Sequence, residues 1–153
     1  MLIENRLKEL GIELKDTVSP LANYIPVQQC GNLLFFSGAG PVRDGKATMV
    51  GRLGENLTIE DGYAAAREGA INLICAMKEY LGDLDRVEQI VKVLGFVNCT
   101  TDFGAQPSVI NGASDIFVDI FGEKGRHARS AVGTNALPLG TPVEVEIIVK
   151  IKE

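Results

Sequence analysis

The chain has 153 residues, 46% of them hydrophobic and 23% charged, with 17 glycines, 6 prolines and no tryptophan. A chain of this length fills one domain, builds a core without disulfide or metal staples, and is too apolar for intrinsic disorder. Its 15 basic and 20 acidic residues leave a net charge of -5, which offers no field to nucleic acid or anionic lipid and favours small molecules or protein partners. The opening MLIENRLKELGIEL lacks the basic-then-apolar order of a secretory leader, and no apolar run approaches the roughly 20 residues of a membrane-spanning helix. Cys30, Cys75 and Cys99 are widely spaced, odd in number and set among apolar neighbours, so they read as buried, reduced thiols of a cytoplasmic protein.

Ile3, Leu7 and Leu10 repeat at helical spacing and predict a short amphipathic helix stopped by Gly11. Residues 1–20 read as a helical N-terminal extension and residues 21–153 as one domain. Tyr24 to Gln29 and Leu33 to Ser37 read as strands about the turn Cys30-Gly31-Asn32, closing on Gly38-Ala39-Gly40, a turn where the backbone is open to close approach. Asp44-Gly45 marks a further turn before a short strand around Ala47 to Val50. A long helix starts at the N-cap Thr58, with Glu60 and Asp61 in its first turn, and ends at Gly82. Gly62 and Gly69 within it each cost roughly 1 kcal/mol relative to alanine, which predicts close packing against a strand. Ile90 to Val97 is apolar throughout and predicts a strand covered on both faces. A second helix runs from about Pro107 to Phe121, and the strands Arg129 to Thr134 and Val143 to Ile151 close the chain.

In the last strand Val143, Val145, Ile147, Val149 and Ile151 form one face, and Glu144, Glu146, Ile148 and Lys150 the other. The element order gives an α+β sheet with its two main helices on one face. Two helices cover only one side of a sheet apolar on both, so the second face is expected to pack against another copy.

No Walker loop, GxGxxG after a strand, HExxH, paired CxxC or GxSxG occurs. His127 is the single histidine and lies among Lys124, Arg126 and Arg129; it reads as an exposed, non-catalytic loop residue in a setting that disfavours a metal cation. Asp115 and Asp119 read as the solvated face of the second helix. Most of the chemistry is expected at Arg129-Ser130-Ala131-Val132-Gly133, followed by Leu137-Pro138 and Val143-Glu144-Val145-Glu146. An arginine entering one strand, with a carboxylate on the next, can present a planar fork to an anion, or it can form an ion pair that ties two antiparallel strands together.

That stretch resembles the C-terminal signature of the Rid family, the reactive intermediate deaminases, also called YjgF-type proteins and once labelled L-PSP endoribonucleases. Tyr24, the run Gly31 to Gly38 with Pro41, Gly82 to Val87, and Val97 agree with it in order. The resemblance implies a chorismate-mutase-like α+β fold, a single mixed sheet with two main helices on one face plus the short N-terminal helix, assembled as a homotrimer. It implies hydrolysis of 2-imino or 2-enamine acids to 2-oxo acids and ammonia in intersubunit clefts. Arg129 would hold the substrate carboxylate and Glu144 would position or activate water. Tyr24 would line the cleft from the neighbouring subunit, with Ser37 and Gly38 touching the ligand. The partners implied are a second and third copy and a small carboxylate, with no cofactor, metal, nucleic acid or membrane. Three features depart from the short deaminases: Ala131 stands where many members have cysteine, Gly104 to Ser108 looks inserted so that Asn111 has no secure counterpart, and the N-terminal extension and the Gly122 to His127 loop differ. Two other functions remain open at this point: a non-catalytic carboxylate-binding or partner-binding scaffold and, ranked lower, an endoribonuclease. Chorismate mutase activity is a fold-level analogy only.

Overall fold

The computed structural model describes residues 2–17 and 22–153. Its elements are α1 (Leu2–Glu9), β1 (Val27–Cys30), β2 (Leu33–Phe36), β3 (Val42–Arg43), β4 (Lys46–Ala47), α2 (Ile59–Leu81), β5 (Val87–Asn98), α3 (Gln106–Phe121), β6 (Ala128–Thr134) and β7 (Val143–Ile151). A reciprocal capping box starts α2: the Asp61 N–H donates to the Thr58 hydroxyl at 3.1 Å, and the Thr58 N–H donates to the Asp61 carboxylate at 2.9 Å. Gly82, at φ +74°, closes its last turn. Both ends therefore stand where the sequence places them.

The main sheet has the order β1-β2-β7-β5-β6, antiparallel except for β5 and β6, which run parallel because α3 carries the chain back between them. This is the α+β fold expected, a mixed sheet with α2 and α3 on one face and α1 outside them. The expected strand near Ala47 is instead half of a separate β3–β4 ribbon. Asp44 and Gly45 both have positive φ, which turns the chain back on itself at once. Strands β6 and β7, consecutive in sequence, are not neighbours, since β5 lies between them. The ion pair that would tie them together therefore does not form.

Alternation is strict on β7: Val143, Val145, Ile147, Val149 and Ile151 are buried under the helices, and the residues between them face the other way. That second face also carries Phe35, Leu94, Phe96 and Val132. Phe35 and Val132 remain 42% and 43% exposed. A shallow depression of about 360 Å³ lies on this face between Phe35, Lys92, Leu94, Glu146 and Ile148. Cys75 and Cys99 are buried, but Cys30 is exposed at the end of the edge strand β1, contrary to the reading of all three as buried.

The N-terminal helix is fastened by side chains from the domain. The Asp85 carboxylate accepts from the Leu2 N–H at 2.7 Å and the Ile3 N–H at 2.9 Å, and these bonds, Ile3's first, hold its carboxyl well below the usual carboxylate range. Arg6 Nε donates to the Asp119 carbonyl at 2.8 Å, Lys78 pairs with Glu4, and Leu7 is buried in the core. The expected boundary between residues 20 and 21 lies outside the described residues.

Glycines set the spacing between the helices. Gly69 packs on the Ala39 carbonyl, as a strand-facing glycine should, but Gly62 faces Val109 on α3 rather than a strand. The tightest contact is at Gly112, where a Cβ would stand 2.0 Å from the Tyr63 carbonyl oxygen. A backbone atom cannot yield as a side chain would, so Gly112→Ala should lower unfolding stability by about 2–3 kcal/mol. Urea denaturation of the variant against wild type measures this.

Candidate functional site

Two clusters emerge from the five residues expected to form the site. One lies where β1, β2 and β7 meet. The Ser37 hydroxyl donates to the Ile25 carbonyl at 2.7 Å, and its N–H donates to the Pro26 carbonyl at 2.9 Å, so the segment that follows the exposed Tyr24 into β1 runs beside Ser37. The next residues bridge to β7 through reciprocal Ala39–Val145 bonds of 2.8 Å, and the Asn72 amide from α2 fixes the Gly40 and Val42 carbonyls. Gly38-Ala39-Gly40 is thus a segment bridged to the sheet at Ala39 rather than the turn expected. A Cβ on Gly38 would lie 2.8 Å from Glu144 Cδ, so the absent side chain is the space the Glu144 carboxyl occupies. Glu144 is half-buried, and burial first, then the neighbouring Glu146 charge, push its carboxyl above the usual carboxylate range.

Arg129 lies elsewhere. It pairs with Val93 on β5 and turns onto the helix-covered face, where Nη1 donates to Asn111 Oδ1 at 2.7 Å and Ser114 Oγ at 3.1 Å. Glu144 pairs with Phe96 and projects from the open face. Two strand spacings and three residues of register put their Cα atoms roughly 14 Å apart. Ser37, Gly38 and Glu144 therefore lie together in a single chain, with Tyr24 one residue before the Ile25 carbonyl that Ser37 bonds, and Arg129 lies apart from them.

The partners of Arg129 are all neutral. Among the described residues no carboxylate lies within ion-pairing distance, and the Nε–H and Nη2–H groups have no protein acceptor. That free edge is the one that matches a carboxylate bidentately. Ser114 also bonds His127 Nε2 at 2.8 Å, and His127 Nδ1 meets the Gly125 carbonyl at 2.6 Å. His127 is thus half-buried and fully bonded rather than exposed, because the short 3₁₀ turn Gly122–Gly125 folds flat against α3. Burial and the adjacent Arg129 charge push its imidazole below the usual histidine value. Asp115 and Asp119 are exposed on α3 as expected, and Asp115 accepts from the Tyr63 hydroxyl at 2.6 Å.

The sequence reading leaves Asn111 without a secure counterpart and does not single out Ser114, although both stand at helical spacing on α3 and one turn apart on the side that meets β6. A second guanidinium, Arg52, donates to Asn98 Oδ1 at 3.2 Å and the Cys99 carbonyl at 2.8 Å, which ties the loop before α2 to the end of β5. Among the described residues no three His, Cys, Asp or Glu side chains converge as a metal set would require. Among them, too, no helix is long and apolar enough to cross a membrane.

Residues 4–151 match the family described as "YjgF/chorismate mutase-like, putative endoribonuclease". Protein TCP17 of Trypanosoma cruzi is 44% identical over 146 residues, which cover 95% of this chain and 91% of that protein. The crystal structure of Atu1372, a protein with unknown function from Agrobacterium tumefaciens, is 41% identical with a TM-score of 0.90, covering 99% of this chain and 93% of that one. YyfA from Yersinia pestis, described as a protein of unknown function of the conserved Rid family, is 27% identical with a TM-score of 0.63, over 91% of this chain and 96% of its own. The arrangement of strands and helices that separates Arg129 from Glu144 is therefore shared architecture, and the chain belongs to the YjgF (Rid) family.

Proposed function

We infer that the protein hydrolyses small 2-imino or 2-enamine acids to 2-oxo acids and ammonia, in clefts between the subunits of a cytoplasmic homotrimer. The observation that carries this reading is Arg129, a guanidinium held by neutral groups on Nη1 with its Nε–Nη2 edge free. A substrate carboxylate bound there places the adjacent C=N carbon close by. Glu144, on the opposite face of its own sheet, reaches such a substrate only from a neighbouring copy. The apolar open face around Phe35, Leu94, Ile148 and Val132 gives copies a surface on which to pack. On this reading Arg129 and Glu144 meet in trans, and Tyr24, Ser37 and Gly38 arrive with Glu144.

The chemistry asks little beyond positioning. Water adds to the electrophilic C2 of the imine while Glu144 takes its proton, and the same proton passes to nitrogen. The carbinolamine then collapses: Glu144 takes the hydroxyl proton and returns it to nitrogen as the C–N bond breaks, expelling ammonia and leaving the 2-oxo acid. A carboxyl whose pKa is raised by burial is a better base near neutral pH than an ordinary one. Ala131 removes any thiol from this scheme. A second reading, a carboxylate binder without turnover, is favoured by that same alanine. RNA cleavage has weak support, since a net charge of -5 supplies no basic track for a phosphate backbone.

The direct test generates iminopyruvate from serine with a pyridoxal-phosphate lyase and follows its decay. Micromolar protein should accelerate the decay, and Arg129→Ala should reduce the acceleration at least about 100-fold, since the substrate loses its charge-assisted anchor. No acceleration with any of several amino-acid-derived imines would leave only the binder. The pH profile has a defined sign. Because the Glu144 pKa is raised, the base is lost on acidification at a higher pH than for an exposed glutamate, so the acid limb of kcat should begin above the usual carboxylate range. Glu144→Gln should abolish that limb together with most of the rate, while carboxylate binding persists.

A further inference from the structure

Ser114, His127 and the Gly125 carbonyl form a hydrogen-bonded chain that the proposed reaction does not use, and the chain ends on the arginine that reaction depends on. A carbonyl can only accept, so His127 Nδ1 carries the proton and the neutral ring leaves Nε2 bare. The Ser114 hydroxyl therefore donates to Nε2, which turns its lone pairs toward the Arg129 Nη1–H. The chain is anchored at both ends. A Cβ on Gly125 would stand 2.2 Å from the Phe117 carbonyl, so the turn is seated directly on α3, and the imidazole and Phe117 rings meet nearly perpendicular with centroids 6.1 Å apart.

We propose that Ser114 and His127 are positioning residues for Arg129, holding its guanidinium through a chain anchored on the Gly125 carbonyl, so that carboxylate binding at Arg129 and proton binding at His127 are linked. The proposal rests on the reading that Arg129 takes a carboxylate. The groups packed on the ring from α3, namely Ser114 and Phe117, are neutral, as is the backbone of the 3₁₀ turn. Arg129 is the cation that faces the ring from β6. Of the ring's sequence neighbours, Lys124 is exposed, and Arg126 is exposed and paired with Glu123 at 3.6 Å.

Protonation reverses the Ser114 bond: Nε2–H now donates, and the serine proton must turn to another acceptor, such as the carbonyl one helical turn back. A second positive charge then stands two hydrogen bonds, of 2.8 and 3.1 Å, from the guanidinium. Burial and the Arg129 charge both oppose that protonation. An anion that neutralises Arg129 removes one of the two, so binding raises the His127 pKa. By reciprocity, a protonated His127 favours the bound anion.

His127 is the only histidine in the chain, so its ring resonances report this coupling without assignment ambiguity. NMR titration follows the ring across pH in wild type with and without saturating pyruvate, and in Arg129→Gln without ligand. Calorimetry compares pyruvate affinity in wild type and Ser114→Ala. The expected results are a His127 pKa raised by pyruvate, one raised also in Arg129→Gln, and affinity weakened about fivefold in Ser114→Ala. Pyruvate bound with the His127 titration unmoved, or Ser114→Ala binding as tightly as wild type, overturns the proposal and leaves the carboxylate reading standing. If wild type does not take up pyruvate, the carboxylate reading falls. Arg129→Gln then decides the chain alone, a raised His127 pKa supporting the coupling and an unchanged one overturning it.

Discussion

Parallel pairing of β5 with β6, through the α3 crossover, seats Arg129 beside Val93, while antiparallel pairing of β5 with β7 seats Glu144 beside Phe96. Side chains alternate across a strand, so these two registers send Arg129 under the helices and Glu144 onto the open face. Had β6 and β7 paired directly, the guanidinium and the carboxylate could have neutralised one another, leaving little charge for a ligand. The intervening strand prevents that. Each group instead acquires its own environment: for Arg129 an amide and a hydroxyl, for Glu144 partial burial over a glycine.

Those environments push chemistry in complementary directions. Neutral acceptors orient a guanidinium without consuming its charge, which keeps its free edge available for a charge-assisted bidentate bond. Burial and a like-charged neighbour make Glu144 reluctant to stay ionised, which suits a group that must accept a proton and then return it. Neither residue has both properties, and a single copy does not bring them together. The apolar open face gives a physical reason for copies to associate, and the proposed reaction gives that association a function.

Much of this was legible in the chain. Thr58, Asp61 and Gly82 mark α2 to the residue because caps are local chemistry, and the two faces of β7 follow from strict alternation. What sequence order could not supply was strand order. Arg129 and Glu144 are 15 positions apart along strands consecutive in the chain, which suggests adjacency, yet the sheet inserts β5 between them. The same limit hid Ser114 and left Asn111 without a secure place, since the roles of both arise from which helix face lies over β6. His127 looked like a loop histidine among cations, because nothing local shows that Gly125 permits its turn to sit flat on α3. Gly62 and Gly69 signalled close packing correctly in kind, but only the tertiary contacts separate the helix partner from the strand partner.

The central claim is that Arg129 and Glu144 serve one substrate from different copies. Chains carrying Arg129→Ala and chains carrying Glu144→Gln, each inactive alone, can be co-expressed with different tags and purified as mixed oligomers. In a symmetric trimer whose clefts take one residue from each neighbour, every mixed trimer has one of its three clefts with both native side chains. Imine hydrolysis by the mixed trimers should therefore return to about a third of the wild-type rate. Mixed oligomers that carry both tags and hydrolyse no faster than either parent would contradict the account.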